Sequence, residues 1–140
     1  MKAYKHHIFS PYRVCPIGAH VDHQHGLVTG FAIDKGVDLF FDVREDTLVK
    51  LSSETFGGEL EFDITVPAQV RQKQWGDYAR GAKYALQKRF RLTRGIEGVI
   101  RGSLPVGGLS SSAAVLIAYV MAFARANGIE LQPFEVAQIA

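Results

Sequence analysis

Cysteine is nearly absent from this chain of 140 residues, in which Cys15 is the single example. A disulfide framework is therefore excluded, and a reducing cytoplasm is the favoured location. Long apolar runs are also missing: the longest, residues 113–124, falls short of the ~20 residues that a membrane helix needs. Residues 1–10 contain no apolar signal core, which argues against secretion.

The chain also lacks a strong charge bias, because 16 basic residues stand against 14 acidic ones for a net charge of +2. No clustered basic face is evident, so nothing indicates a nucleic-acid partner. Hydrophobic residues make up 47% and charged residues 21%, which is typical of a globular domain. There are no internal repeats and no Pro/Gly/Ser-rich linkers, so we predict one folding unit of unspecified oligomeric state.

Hydrophobic periodicity predicts both strands and helices. The predicted strands are an extended segment over 7–18 that breaks at Pro11 and Pro16, then 26–34, a hairpin of Val37–Val43 with Thr47–Ser52, Gly58–Ile64, and Val99–Arg101. The predicted helices are Gly76–Lys88, Ser111–Asn127 with Gly128 as its stop, and a helix that starts at Pro133. That last helix reaches the end of the chain without a cap, as expected either for a truncated chain or for a short frayed terminal helix.

Residues 102–114 form a glycine- and serine-rich segment directly before the apolar helix. Gly107 and Gly108 allow close approach of backbone to a ligand, and the following serines lie where a helix begins. The first N–H groups of a helix carry the positive end of its dipole, so this segment fits a phosphate cradle. A Gly/Ser turn that only caps a buried helix is the structural alternative. Neither a Walker P-loop nor a dinucleotide-binding motif is present.

Residues 10–26 bring together His20, Asp22, His23 and His25. Such a cluster can bind a metal ion, form a solvated polar turn, or offer donors and acceptors to a polyhydroxylated ligand such as a sugar. Arg13, a little earlier, is suited to stabilise charge on a transferred phosphoryl group.

Taken together, the two segments resemble those of the GHMP small-molecule kinases, in particular the galactokinase branch. The run YRVCPIGAHVDHQHG, residues 12–26, resembles the branch's G-R-V-N-L-I-G-E-H-x-D-Y-x-x-G motif. Residues 105–114, PVGGLSSSAA, resemble P-x-G-x-G-L-S-S-S-A-A but are one residue shorter. Trp75, Tyr78 and Gly81 fit a W-x-x-Y-x-x-G pattern, so the resemblance extends over essentially the whole chain.

The departures from the galactokinase motif resemble the pattern of galacturonokinases, S-P-Y-R-x-C-P-x-G-A-H-x-D-H-Q. Ala19 replaces a glutamate and His23 replaces a tyrosine. Loss of a carboxylate at Ala19 removes repulsion against a sugar acid, and like-charge rejection is an effective specificity device. A protonated His23 or His25 would favour the acid further.

The resemblance implies an α+β fold, a mixed sheet with helices packed on one face like that of a ribosomal protein. It implies ATP-dependent phosphoryl transfer to the anomeric hydroxyl of galacturonic acid or galactose, with ATP and Mg²⁺ as cofactors. Arg13 would be catalytic, and His20, Asp22 and His23 would bind the sugar. The ATP phosphates would be held by Pro105, Gly107, Gly108, Leu109, Ser110, Ser111 and Ser112. Ser112, or alternatively Ser111, would help to ligate Mg²⁺.

The resemblance further implies that residues 1–140 are the N-terminal domain of a longer kinase. The family's catalytic aspartate and its third glycine-rich motif follow the second motif and are not found before Ala140. We therefore expect the 140 residues alone to be inactive. A non-catalytic module that binds sugar or nucleotide on the same scaffold is the alternative function.

Overall fold

The computed structural model describes residues 2–18, 21–67, 71–104 and 111–140, and within them the side chain of Asp22 is left out. The strands are β1 (His6–Ile17), β2 (Thr29–Val43), β3 (Leu48–Ser53), β4 (Glu59–Asp63) and β5 (Ile96–Gly102). The helices are α1 (Gly76–Gln87), α2 (Ser111–Ala126) and α3 (Pro133–Ile139), and a short 3₁₀ turn spans Asp22–Gln24.

Within the described residues the strands form one five-stranded mixed sheet in the order β1-β2-β5-β3-β4. Neighbouring strands are antiparallel except β3 and β5, which run parallel. The predicted hairpin of Val37–Val43 with Thr47–Ser52 is therefore wrong. The strand β5 lies between the two segments, and each finds its hairpin partner elsewhere, β2 with β1 and β3 with β4.

The prediction that β1 breaks at Pro11 and Pro16 is also wrong, because the strand continues through both prolines. The strand β1 lies at the edge of the sheet, so its solvent side has no neighbouring strand. A proline whose missing N–H would face that side removes no hydrogen bond between strands. The ladder accommodates the prolines through register shifts between Pro11 and Arg13 and between Val14 and Ile17.

The helices cover one face of the sheet, as expected, and the core lies between the two layers. Alternate residues of the strands point into this core, including Leu60 and Phe62 of β4, which lies within the predicted strand Gly58–Ile64. The predicted apolar helix is the central element, since α2 contacts β1, β2 and both other helices. Its fully buried side chains include Ala118, Tyr119, Val120, Ala122 and Phe123.

Helix ends follow local chemistry. Gly128, two residues after the last residue of α2, has a φ of 66°, which confirms it as the stop. The helix α3 is capped at its start, where the Gln132 N–H donates to Glu135 Oε2 at 2.9 Å. The N-cap residue is Gln132, which lies outside the usual Ser/Thr/Asp/Asn set.

Among the described residues, no helix has the combination of length and apolar character required to cross a membrane.

Candidate nucleotide and sugar site

A small cavity of about 90 Å³ opens where β5 ends and the glycine-rich segment begins. The sheet, the β3–β4 turn and the helices α1 and α2 all contribute to its walls, which are mostly apolar. They include Tyr12 of β1, Trp75 and Tyr78 at the start of α1, Phe56 of the β3–β4 turn, and Ser111, Ser112 and Tyr119 of α2. The cavity therefore combines aromatic surface with the hydroxyls of a helix N-terminus.

Gly102 contacts two other residues of the cavity wall, Thr55 and Tyr12. Its N–H donates to Thr55 Oγ1 at 2.9 Å, which ties the β3–β4 turn to β5. A Cβ at Gly102 would lie 2.6 Å from the hydroxyl oxygen of Tyr12, so that hydroxyl packs directly on the glycine. Burial raises the pKa of Tyr12, although a hydrogen bond from the Leu104 backbone opposes this effect.

The glycine-rich segment is also anchored to β2. The Ser103 hydroxyl accepts a hydrogen bond from the Gly36 N–H at 2.7 Å and donates one to the Gly36 carbonyl at 2.9 Å. The Ser103 N–H donates to the same carbonyl at 2.9 Å. These bonds fix the position at which the chain leaves the sheet toward the predicted phosphate cradle.

The N-terminus of α2 carries the two predicted phosphate-binding serines that the structure describes. Ser111 is half-buried and Ser112 is exposed, and both line the cavity. Behind them the helix is firmly packed, since Ala114 and Ala118 are buried. A rigid helix with hydroxyls at its positive end presents a preorganised site for an anion.

A wide groove continues from the cavity along the outer side of α1. Phe56, Trp75 and Tyr78 line both the cavity and the groove. The groove adds the aromatic ring of Tyr84, the basic side chains Arg71, Lys73 and Arg80, and the acidic side chains Glu59 and Asp77, of which Asp77 is paired with Arg80. Flat aromatic surface beside cations suits a ligand with an aromatic ring and negative charge.

The β1–β2 hairpin carries the predicted sugar-binding segment. Arg13 is paired with Ala32 across the ladder and is exposed. His23 lies in the 3₁₀ turn, which is closed by hydrogen bonds from the Val21 N–H to the Gly18 carbonyl at 3.1 Å and from the Gly26 N–H to the Val21 carbonyl at 2.9 Å.

Residues 77–140 match the family model described as the GHMP kinases N terminal domain. The chain is 42% identical to a galacturonokinase of Arabidopsis thaliana over 91% of its length and 35% of that protein. It is 35% identical to a galactokinase of Chloroflexus aurantiacus, over 94% of this chain and 34% of the relative.

A solved galactokinase of Lactococcus lactis, complexed with galactose, superposes with a TM-score of 0.88 and 31% identity, over 95% of this chain and 35% of that one. The chain belongs to the GHMP kinases. A mevalonate kinase of Methanococcus jannaschii shares the fold with a TM-score of 0.82 at 19% identity, over 99% of this chain and 45% of that one. The chain spans about a third of the length of the curated relatives it matches.

The GHMP kinase fold confirms the α+β prediction, whereas several predicted site residues lie outside the described residues. These are Ala19, His20, Pro105, Gly107, Gly108, Leu109 and Ser110, together with the side chain of Asp22. The roles assigned to them stay predictions. Over the part of the chain that the structure does describe, no group of three metal-ligating side chains is found.

The structure adds to this candidate site residues that have no role assigned in the motifs of the GHMP kinases described above. Trp75 and Tyr78 belonged only to a motif, and Phe56 and Thr55 to none. The turn after β3, Phe56-Gly57-Gly58, was the available signal, because glycines at a strand end favour a tight turn. Its approach to α1 depends on the sheet order, which local patterns do not reveal.

Proposed function

We propose that this chain carries the sugar- and ATP-phosphate-binding domain of an ATP-dependent sugar kinase, which phosphorylates the anomeric hydroxyl of galacturonic acid or galactose. The observation that carries this proposal is the placement of Ser111 and Ser112 at the start of a buried helix, on an aromatic cavity. Homology to a galacturonokinase and to galactokinases supports it.

ATP would lie with its phosphates at the N-terminus of α2 and its base against the aromatic walls. Backbone N–H groups and serine hydroxyls would bind the phosphates, and the glycines at 107 and 108 would allow close approach. The adenine ring would lie between Phe56 and Trp75, where the cavity and the groove meet. This arrangement uses both the helix dipole and the aromatic surface.

The donor set at the cavity suits Mg²⁺ held mainly by phosphate oxygens. The described residues that line the cavity include no carboxylate, whereas the Ser112 hydroxyl is exposed there. Mg²⁺ prefers oxygen ligands and is often bound through substrate phosphates with few protein groups. We therefore assign Ser112, or alternatively Ser111, as its protein ligand; when bound, the ion would offset charge on the phosphates.

The sugar would bind at the β1–β2 hairpin through His20, Asp22 and His23. Arg13 would stabilise the transferring phosphoryl group, so that positioning and charge stabilisation supply most of the catalysis. We favour galacturonate because Ala19 stands where galactokinases carry a glutamate. An Ala19→Glu variant that retains its preference for the acid would contradict this part of the proposal.

We further propose that the catalytic base follows Ala140 in the native gene product and that the enzyme acts in the cytoplasm. The family resemblance, the share of the relatives covered and the near absence of cysteine support these two points. The intact mass of the natively expressed product tests the first point directly. A mass of 15.4 kDa would contradict it.

The proposed activity is tested by measuring ADP release from ATP with the natively expressed product. Galacturonate, galactose and a no-sugar control are compared. We expect sugar-dependent release that is faster with galacturonate. Faster turnover of galactose would reverse the preferred substrate. Binding of ATP and sugar without turnover would favour the non-catalytic module instead.

An Arg13→Ala variant isolates the proposed catalytic residue. Removing a charge that stabilises the transition state is expected to lower kcat by about a hundredfold or more, with a smaller effect on the KM of the sugar. Arg91→Ala is the matched control, because Arg91 is an exposed arginine between α1 and β5. Equal kcat values for the two variants would contradict the role of Arg13.

A further inference from the structure

The carboxylate of Asp77 binds the backbone of the segment that precedes its own helix. The Gln72 N–H donates to Asp77 Oδ1 at 3.1 Å, and the Lys73 N–H donates to Oδ2 at 2.8 Å. Each oxygen therefore holds one residue of the segment. The Asp77 side chain is only 15% exposed, which makes these charge-assisted bonds stronger than they would be in open solvent.

Arg80 fixes the same carboxylate from the other side. Its Nη1 lies 3.2 Å from Asp77 Oδ1, and the Arg80 side chain is 12% exposed. The guanidinium also lies over the ring of Phe62, with 5.9 Å between its central carbon and the ring centroid. Asp77 is thus held between the core of the domain and the segment before α1.

The segment that Asp77 holds has an unfavourable backbone conformation. Lys73 has a φ of 56°, a region that non-glycine residues adopt only at some cost in free energy. The bond from its own N–H to Asp77 offsets that cost. Trp75 follows two residues later and lines both the cavity and the groove, and Lys73 lines the groove.

We propose that Asp77 is a positioning residue for the nucleotide: it holds residues 72–75 so that Trp75 and Lys73 form one wall of the nucleotide groove. This inference rests on the proposed function, because it assumes that ATP is the ligand of the groove. Asp77 also lines the groove, but its two carboxylate oxygens are engaged by the Gln72 and Lys73 N–H groups. It would act by keeping the wall preorganised, which reduces the ordering cost of binding.

Trp75 makes the inference directly measurable, because it is the only tryptophan in the 140 residues. Its fluorescence therefore reports the environment of this wall and needs no catalytic turnover. The experiment titrates the natively expressed product with ATP and Mg²⁺ while tryptophan emission is recorded, and the same product with Trp75→Phe gives the part of the emission that comes from Trp75. Acrylamide quenching of the same chain measures how accessible Trp75 is to solvent.

The test variants are Asp77→Ala and Asp77→Asn. We expect Asp77→Ala to shift the emission to longer wavelength, to increase quenching, and to weaken ATP binding about tenfold. Asp77→Asn keeps one acceptor oxygen and is expected to give an intermediate loss. It also serves if the alanine variant fails to fold, since it preserves the shape of the side chain.

Asp63→Asn is the matched control. Asp63 also accepts a backbone N–H bond, from Thr65 at 2.7 Å, and a hydroxyl bond from Thr47 at 2.7 Å, but it does not line the groove. Loss of this carboxylate is expected to lower thermal stability and to leave the affinity for ATP unchanged. The control therefore separates a positioning role from general destabilisation.

Two results would overturn the inference, and they are distinguishable. Wild-type affinity and unchanged Trp75 emission in both Asp77 variants would refute the positioning role alone. A wild-type chain without a saturable response to ATP would contradict the proposed function, and this inference with it.

Discussion

A methyl group added at Gly102 is expected to destabilise the domain because of a single contact. The new Cβ would lie 2.6 Å from the Tyr12 hydroxyl oxygen, closer than side-chain carbons normally approach. The Tyr12 ring is rigid, only 4% exposed and packed in the core. Relief of the contact requires a movement of roughly 0.8 Å within a packed core, and such overpacking costs about 2 kcal/mol.

The Tyr12→Phe background turns this estimate into a measurement of the contact itself. Removing the hydroxyl costs about 1 kcal/mol through its hydrogen bond with the Leu104 backbone, but it leaves space for the new methyl group. Gly102→Ala is therefore expected to cost little more in this background. The double-mutant cycle should give a coupling free energy of about 2 kcal/mol.

Gly30→Ala is the matched control, because a Cβ at Gly30 would meet its nearest atoms at an ordinary 3.5 Å. It is expected to be neutral or slightly stabilising. Urea unfolding followed by far-ultraviolet circular dichroism measures all four variants against the wild type. A coupling free energy below about 0.5 kcal/mol would refute the reasoning, since the cost would then not arise from the contact with Tyr12.

Three further predictions concern a buried hydroxyl, an ion pair and the helix N-terminus. Tyr119→Phe should leave stability unchanged or raise it by up to about 1 kcal/mol, because the Tyr119 hydroxyl is buried without a partner among the described residues; a clear loss in thermal unfolding would contradict this. Arg44 lowers the pKa of Asp46 to about 2. Asp46 therefore stabilises the fold above its unfolded pKa of about 3.9, and Asp46→Asn should lower Tm at pH 7 by an amount that is lost as the pH falls through the folded pKa of about 2. A Tm difference as large at pH 2 as at pH 7 would exclude this ionic origin. Ser112→Ala should raise the KM for ATP more than the KM for sugar in the natively expressed product, and equal effects on both would argue against phosphate binding there.

Much of the fold was predictable where the signal is local. The alternation of Leu60 and Phe62 located β4. Helical spacing placed both ends of α1 and of α2 to within one residue. The hairpin was mispredicted because β5, about fifty residues later in the chain, pairs with both β2 and β3. Local patterns carry no information about such an insertion.

Only those parts of the candidate site that have a local sequence signal were predictable. Ser111 and Ser112 could be predicted because glycine and serine residues directly before an apolar helix indicate an anion-binding site. The Asp77 arrangement could not, because it depends on the positive φ of Lys73 and on a carboxylate that reaches back four and five residues. Nothing in the order of residue types distinguishes it from an ordinary acidic residue in the first turn of a helix.

The proposed sugar-1-kinase activity is tested most directly by the position of the new phosphate on the sugar. The natively expressed product is incubated with ATP, Mg²⁺ and galacturonate, and the sugar is analysed by ³¹P and ¹H nuclear magnetic resonance. We expect a phosphate that is coupled to the anomeric proton, hence a sugar 1-phosphate. Phosphate on another hydroxyl, or no phosphorylated sugar from galacturonate or galactose, would contradict it.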